Sequence, residues 1–192
     1  MNVRKLLQKT RSYRRFIQDE KIETQVLKAW VENIRFTPSP ANLQPLKFVL
    51  VNNEDINDRI FPHLKWAAYL ENWEGPSDGE RPSAYIVMLG NRKISLYIDW
   101  DYGIALQTIL LSAAEKGVGG CAIASCNKKK IKEILAIPDE YEIGCVIALG
   151  KPGETVVIDT VTHGDIKYRR DEQDVHHVPK RSLEELIYKV IE

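Results

Sequence analysis

Six cations and no acid stand in the first fifteen residues (Arg4, Lys5, Lys9, Arg11, Arg14 and Arg15) of a chain whose formal net charge is zero. Within that stretch, Arg11-Ser12-Tyr13-Arg14-Arg15 puts guanidinium groups on both sides of a hydroxyl. Such a set suits a phosphate monoester. Each arginine can donate a forked pair of hydrogen bonds and the serine one more, and charge-assisted bonds are roughly twice as strong as neutral ones. A solvated basic turn accounts for the same residues, and the segment by itself leaves both readings open.

Three further segments carry side chains or backbone of related use. Thr37-Pro38-Ser39-Pro40-Ala41-Asn42-Leu43-Gln44-Pro45 offers short hydroxyl and amide groups on a backbone stiffened by prolines. It suits the polar edge of a flat heterocycle, or serves as a plain linker. Gly117-Val118-Gly119-Gly120 leads into Cys121-Ala122-Ile123-Ala124-Ser125, and glycines there permit close approach of a ligand or of another backbone. They precede a strand, unlike the dinucleotide fingerprint between strand and helix, and a helix stop explains Gly117 alone. Lys180-Arg181 opens the final helical segment, Ser182-Leu183-Glu184-Glu185, where the helix dipole favours acids. Cations become useful there beside a bound anion.

The missing types narrow the function further. His63, His163, His176 and His177 show no zinc spacing, and there is no nucleophile elbow or P-loop. His176-His177 reads as a structural or surface pair. Cys121, Cys126 and Cys145 lack metal-ligand spacing, and two lie in apolar segments, as core thiols of a reducing compartment do. No metal site and no protein-borne catalytic group is nominated, so an enzyme of this kind needs a cofactor to carry its chemistry. The neutral charge gives no reason for a nucleic-acid or acidic-membrane partner. The N-terminus is too polar for a signal peptide. The longest apolar run, Ile104 to Ala114, is interrupted by Gln107, Thr108 and Ser112 and falls short of the roughly 20 residues that span a bilayer. A cytoplasmic protein is expected.

The elements that must position these groups follow from apolar periodicity. With 192 residues, 44% apolar and 28% charged, the chain is expected to form one domain over 1–192. A short helix over Asn2 to Lys9 precedes the basic stretch. A second begins after Asp19 as cap, buries Ile22, Val26, Trp30 and Ile34, and ends before Pro38 and Pro40. Leu46 to Val51 and Tyr85 to Leu89 read as strands, the latter central. Between them a helix is expected from Asp55 to Leu70 and a loop from Asn72 to Pro82. Asp99 to Lys116 is a helix whose Gly103 to Ala114 stretch is apolar nearly all round, calling for burial on several sides, in a core or a dimer interface. A strand from Cys121 to Ala124, a helix from Lys128 to Leu135 and a strand from Gly144 to Leu149 follow. The arm at about 153–181 reads as irregular apart from Val156-Val157-Ile158, and a last helix, Ser182 to Val190, opens with a capping box. The sum is a mixed α/β chain with about four strands.

Taken in order, these segments resemble the FMN-dependent nitroreductase family, in a short-chain form. Thr10-Arg11-Ser12-Tyr13-Arg14-Arg15-Phe16 is similar to its Arg-Arg-Ser-x-Arg-x-Phe motif except at the first arginine. Thr37 to Leu46 keeps the Pro, Ser, Asn, Gln and Pro of its Ala-Pro-Ser-x-x-Asn-x-Gln-Pro-Trp motif but ends in Leu46. Asp101-Tyr102-Gly103-Ile104-Ala105-Leu106-Gln107 with Gly117-Val118-Gly119 resembles its central helix and glycine exit. Ala148-Leu149-Gly150-Lys151-Pro152 resembles its Ala-Leu-Gly-Tyr-Pro strand end, and Lys180 to Glu185 its closing basic-Leu-Glu-Glu stretch.

The resemblance implies an α+β fold: a three-layer α/β/α sandwich around a mostly antiparallel sheet of about four to five strands, with a long C-terminal arm. It implies a homodimer with FMN at the interface and NAD(P)H as electron donor. Arg11, Ser12, Tyr13, Arg14 and Lys180 or Arg181 would hold the phosphate and ribityl end. Pro38, Ser39 and Asn42 would reach the flavin from the partner subunit, and Ile123, Ala124 and Ser125 would approach its ring. The implied reaction is ping-pong hydride transfer to an electron-poor small molecule such as a nitroaromatic or quinone. A flavin-binding, flavin-storing or flavin-consuming protein without an external acceptor is the alternative. The segment from Asn52 to Tyr85 is shorter than in typical members, and its Trp66 and Tyr69 are candidate substrate contacts, with buried packing expected for at least one aromatic there.

Overall fold

The computed structural model describes residues 2–192. From the N-terminus the chain forms α1 (Val3–Lys9), β1 (Phe16–Ile17), α2 (Thr24–Glu32), β2 (Leu46–Val51), α3 (Glu54–Ile60), β3 (Ala84–Gly90), α4 (Ile98–Glu115) and β4 (Gly119–Ile123). It continues with α5 (Lys128–Leu135), β5 (Glu142–Pro152), β6 (Val156–Thr160), β7 (Arg169–Arg170), β8 (His176–Lys180) and α6 (Leu183–Leu186).

Every residue of β3 is buried, because its alternating side chains enter two different cores. Tyr85, Val87 and Leu89 pack on one face of the sheet, and Ala84, Ile86 and Met88 on the other. β3 pairs antiparallel with β2 and with β5, setting Tyr85 opposite Val51 and Ala148. β4 lies antiparallel along the other side of β5, Gly119 facing Gly150 and Ile123 facing Val146, and β1 pairs the far end of β5 at Lys151 and Pro152. Ile60 and Ile131, from α3 and α5, cover one face; Leu27, Trp30, Ala105 and Ile109, from α2 and α4, cover the other. This is an α+β, three-layer sandwich on a five-stranded antiparallel sheet.

β2, β3, α4 and α5 fall within one residue of the limits that periodicity predicts. Other elements depart from expectation. α2 starts at Thr24 rather than after Asp19, with Glu23 before it making no side-chain cap bond. Leu27 and Trp30 are buried while Val26 is exposed. A strict spacing of four drifts around a helix of 3.6 residues per turn, so Leu27, Trp30, Val31 and Ile34 hold the inner face instead. α3 stops at Ile60, not Leu70: Phe61–His63 form a 3-10 turn, and Leu64 turns extended to bridge Cys126 beyond β4. Tertiary strand pairing there prevails over local helix propensity.

The arm is present but not irregular. β6 pairs parallel with β8, Val156 opposite His176 through Thr160 opposite Lys180, and β7 joins β8 antiparallel. Backbone pairing makes this sheet, with little apolar patterning to announce it. The capping box of Ser182 and Glu185 forms as expected, yet α6 ends at Leu186 instead of Val190. Leu183, Leu186, Tyr188 and Ile191 are exposed, so no buried face supports a longer helix within this chain. Cys121 and Cys145 are buried, Cys126 partly so, and all three are unbonded thiols. Among the described residues no helix is long and apolar enough to cross a membrane, and no cluster of His, Cys, Asp and Glu forms a metal cage.

Candidate cofactor site

The basic turn is laid along the outer edge of β4. Ser12 forms a parallel bridge with Gly120, and the Tyr13 N–H donates to the Gly120 carbonyl at 3.1 Å. A Cβ on Gly119 would lie 2.5 Å from the Tyr13 ring. The glycine run expected to admit a ligand therefore admits the protein's own Tyr13 at Gly119, while Gly117, with φ of +74°, lets the chain leave α4. The Tyr13 hydroxyl donates to the Lys9 carbonyl at 3.3 Å, and burial raises its pKa. In this chain Tyr13 is a packing residue.

Arg14 turns inward and is 9% exposed. Its Nη1 donates to the Ser12 carbonyl at 3.2 Å and to Nε2 of His176 at 3.0 Å, and the guanidinium stacks over the Tyr168 ring at 4.5 Å. Arginine cannot accept, so Nε2 of His176 must. Burial first, and then the Arg14 charge, hold the His176 pKa down at about 4, which keeps the imidazole neutral. Nε and Nη2 of Arg14 donate to no described atom and keep contact with solvent. No described carboxylate comes within 4.0 Å of the guanidinium. Glu154 accepts the backbone N–H of Arg14 but makes no salt bridge with the guanidinium, whose unpaired edge is suited to an external anion.

Glu154 fixes the backbone of the turn. Its side chain is 1% exposed, accepts the N–H groups of Arg14 and Arg15, and takes Nη2 of Arg170 at 2.9 Å. Arg170 stacks over Trp73 at 4.4 Å, and Tyr168 lies against Tyr69 with centroids 4.9 Å apart. Basic turn, arm and the segment between β2 and β3 are thus one assembly. Sequence reasoning missed Glu154, Tyr168, Arg170 and a buried role for His176. Their partners are distant in the chain, and no periodicity marks them. Arg15 pairs with Glu80 and with Asp174, which also meets Arg170 at 3.8 Å, so its guanidinium is engaged by carboxylates. Arg11 donates from Nη2 to the Leu7 carbonyl at 2.7 Å, its Nε is buried without a partner, and Ser12 is exposed.

The other candidate residues are distributed more widely. Ala124 and Ser125 are exposed at the far end of β4, four residues or more from Gly120, roughly 13 Å at the usual strand rise. Lys65 N–H holds the Ser125 carbonyl at 2.9 Å, and the Ile123 side chain is in the core, leaving its backbone alone for a ligand. Pro38, Ser39 and Asn42 lie near the start of β2 and make no hydrogen bond to the basic turn. Lys180 is exposed four residues along β8 from His176, again roughly 13 Å away, and Arg181 pairs with Glu185 at 3.1 Å. One protomer does not gather these cations around Arg14. Trp66 is buried against Phe61 and Trp73, so its face is not available to a substrate, whereas Tyr69 is 46% exposed. The spacing of Trp66, Tyr69 and Trp73 in this segment could not say which ring turns inward.

The donor set fits a phosphate-bearing ligand lying along β4: a guanidinium edge without a counter-ion, the orphaned Nε of Arg11, and the free hydroxyl of Ser12. The family model of the Nitroreductase family matches residues 7–151. An oxygen-insensitive NADPH nitroreductase of Helicobacter acinonychis is 25% identical over 181 residues, 77% of this chain and 86% of that protein. An Archaeoglobus fulgidus protein, provisionally named NADH dehydrogenase/NAD(P)H nitroreductase, is 30% identical over 146 residues, 72% of this chain and 76% of its own. Among solved structures, an FMN-dependent nitroreductase from Clostridium difficile R20291 aligns with a TM-score of 0.65 at 23% identity, covering 78% of this chain and 87% of that one.

Proposed function

The chain belongs to the nitroreductase family of oxidoreductases, and from that premise we propose that it is an FMN-dependent NAD(P)H oxidoreductase acting on an electron-poor small molecule such as a nitroaromatic or quinone. The observation that carries this reading is the Arg14 guanidinium, buried without a salt-bridged carboxylate yet with Nε and Nη2 free, in a turn that Ser12 docks on the edge of β4 at Gly120. The chemistry supplied by bound FMN is hydride uptake from NAD(P)H and delivery to the acceptor in two half-reactions. Arg11, Ser12 and Arg14 hold the phosphate end. Backbone groups around Ala124 and Ser125 meet the ring, where N–H donors offset negative charge. No side chain is assigned as general acid.

A homodimer completes this reading. Trp100 is 70% exposed on α4, and Ile104 and Leu111 are partly exposed on the same helix; a second copy would cover them. Pro38, Ser39 and Asn42, unattached to the turn in their own chain, would reach the flavin from that copy. Purification and denaturation provide the test. The protein is expected to be yellow, dimeric by light scattering, and to release FMN with a stoichiometry near one per chain. A colourless protein that takes up no added FMN would refute the proposal.

A further inference from the structure

We infer that Tyr168 and His176 of the C-terminal arm are positioning residues for Arg14, and through it set a preference for a flavin that carries a phosphate. This rests on the FMN reading above and adds a function for residues outside the matched segment, 7–151. A guanidinium has five N–H donors in one plane. The Ser12 carbonyl and His176 Nε2 engage Nη1, and the Tyr168 ring at 4.5 Å fixes the plane. What remains is the Nε–Nη2 edge, the fork that pairs with two oxygens of a phosphate. Its rotamer freedom has already been lost on folding, so binding need not pay for it again.

The arm is itself braced for this task. Tyr168 leans on Tyr69, with centroids 4.9 Å apart, and stands 5.4 Å from the His176 ring. His176 begins β8, whose pairing with β6 holds it opposite Val156. Thr10 stands where the family motif has its first arginine, which leaves Arg14 a larger share of the phosphate. A neutral imidazole is needed at 176, because an imidazolium there would oppose Arg14 instead of accepting from it.

The test is flavin-fluorescence titration of the full-length apoprotein with FMN and with riboflavin, which lacks the phosphate. Arg14→Ala, His176→Ala and Tyr168→Ala should each weaken FMN binding on the order of 10- to 100-fold, the effect of one or two charge-assisted hydrogen bonds, and riboflavin binding by less than about threefold. His176→Gln, which restores an acceptor, and Tyr168→Phe, which restores the ring, should stay within about threefold of wild type for FMN. The inference is overturned if His176→Ala and Tyr168→Ala keep wild-type FMN affinity while Arg14→Ala loses it. It is overturned equally if the arm variants lose both flavins alike and Gln rescues no better than Ala, which marks a folding role only. A wild-type protein that binds riboflavin as tightly as FMN contradicts the phosphate preference, and one that binds neither flavin removes the FMN reading itself.

Discussion

Arg14 in the basic turn is 9% exposed and held by Tyr168 and His176 of the arm, whereas Asn42 in the second polar segment is exposed and bonded only to Ser39 and Gln44 of its own loop. Both segments carry side chains suited to one polar ligand. The first is fixed by its own chain through a buried carboxylate, Glu154, and a buried ion pair to Arg170. The second stands unsupported, with Ala41, Asn42 and Gln44 in the left-handed region at φ of 49°, 56° and 50°. Such a conformation costs roughly 1–2 kcal/mol for a residue such as Ala or Gln and less for Asn, and here bonds within the loop, Gln44 to Ser39 and Asn42 and the Asn42 N–H to the Ser39 carbonyl, offset it. The contrast separates a half-site built by the fold from one that the proposed dimer and flavin would complete.

The largest expected effects break the supported half. Glu154→Gln removes the buried charged partner of Arg170, leaving it only the half-exposed Asp174 at 3.8 Å, and should cost about 3 kcal/mol in denaturant unfolding; an unchanged midpoint would mean that Glu154 does not anchor the turn. Trp66→Ala should cost about 3–5 kcal/mol by leaving a core cavity, while Tyr69→Ala, on the exposed side, should cost under about 1.5 kcal/mol. Equal losses would return Trp66 to the candidate substrate contacts.

pH sharpens the comparison within the arm. Hydrogen bonds donated by the His177 ring to Asp171 and then Asp159 raise its pKa, so its stabilisation is complete below 6.5 and is lost as pH rises through the raised value. His176 is held at about 4, so its contribution is present above 6.5 and is lost as pH falls toward 4. The two slopes oppose each other, and the arm should be most stable slightly above pH 6.5. Thermal unfolding of His177→Asn against pH should keep the acid fall and lose the alkaline one; a retained alkaline fall would assign it elsewhere. The smallest stability effect belongs to the unsupported loop. Asn42→Ala should change unfolding by no more than about 0.5 kcal/mol yet weaken FMN retention by the dimer, and unchanged retention would remove Asn42 from the site.

What the sequence made legible follows from where the determining forces act. Buried strands and amphipathic helices are written locally, so β2, β3, α4 and α5 could be placed from apolar spacing alone. Ordered motifs pointed to the family and thereby to the three-layer fold. The arm could not be read, because β6 and β8 pair across fifteen intervening residues that are mostly polar. Arg14 was legible as a cation for an anion, but not as a buried one. Its depth comes from Tyr168 and His176, and the backbone beneath it from Glu154, more than 130 positions away. The glycines at the start of β4 were visible too, yet only three-dimensional packing shows Tyr13 filling the space at Gly119.

The most direct test of the central claim is anaerobic stopped-flow mixing of the FMN-loaded protein with NADH and with NADPH, followed by addition of a quinone. The visible flavin absorption should bleach with at least one nicotinamide and return stoichiometrically when the quinone is added. Flavin that stays oxidised with both donors would contradict an NAD(P)H oxidoreductase and leave a protein that binds the flavin without turning it over.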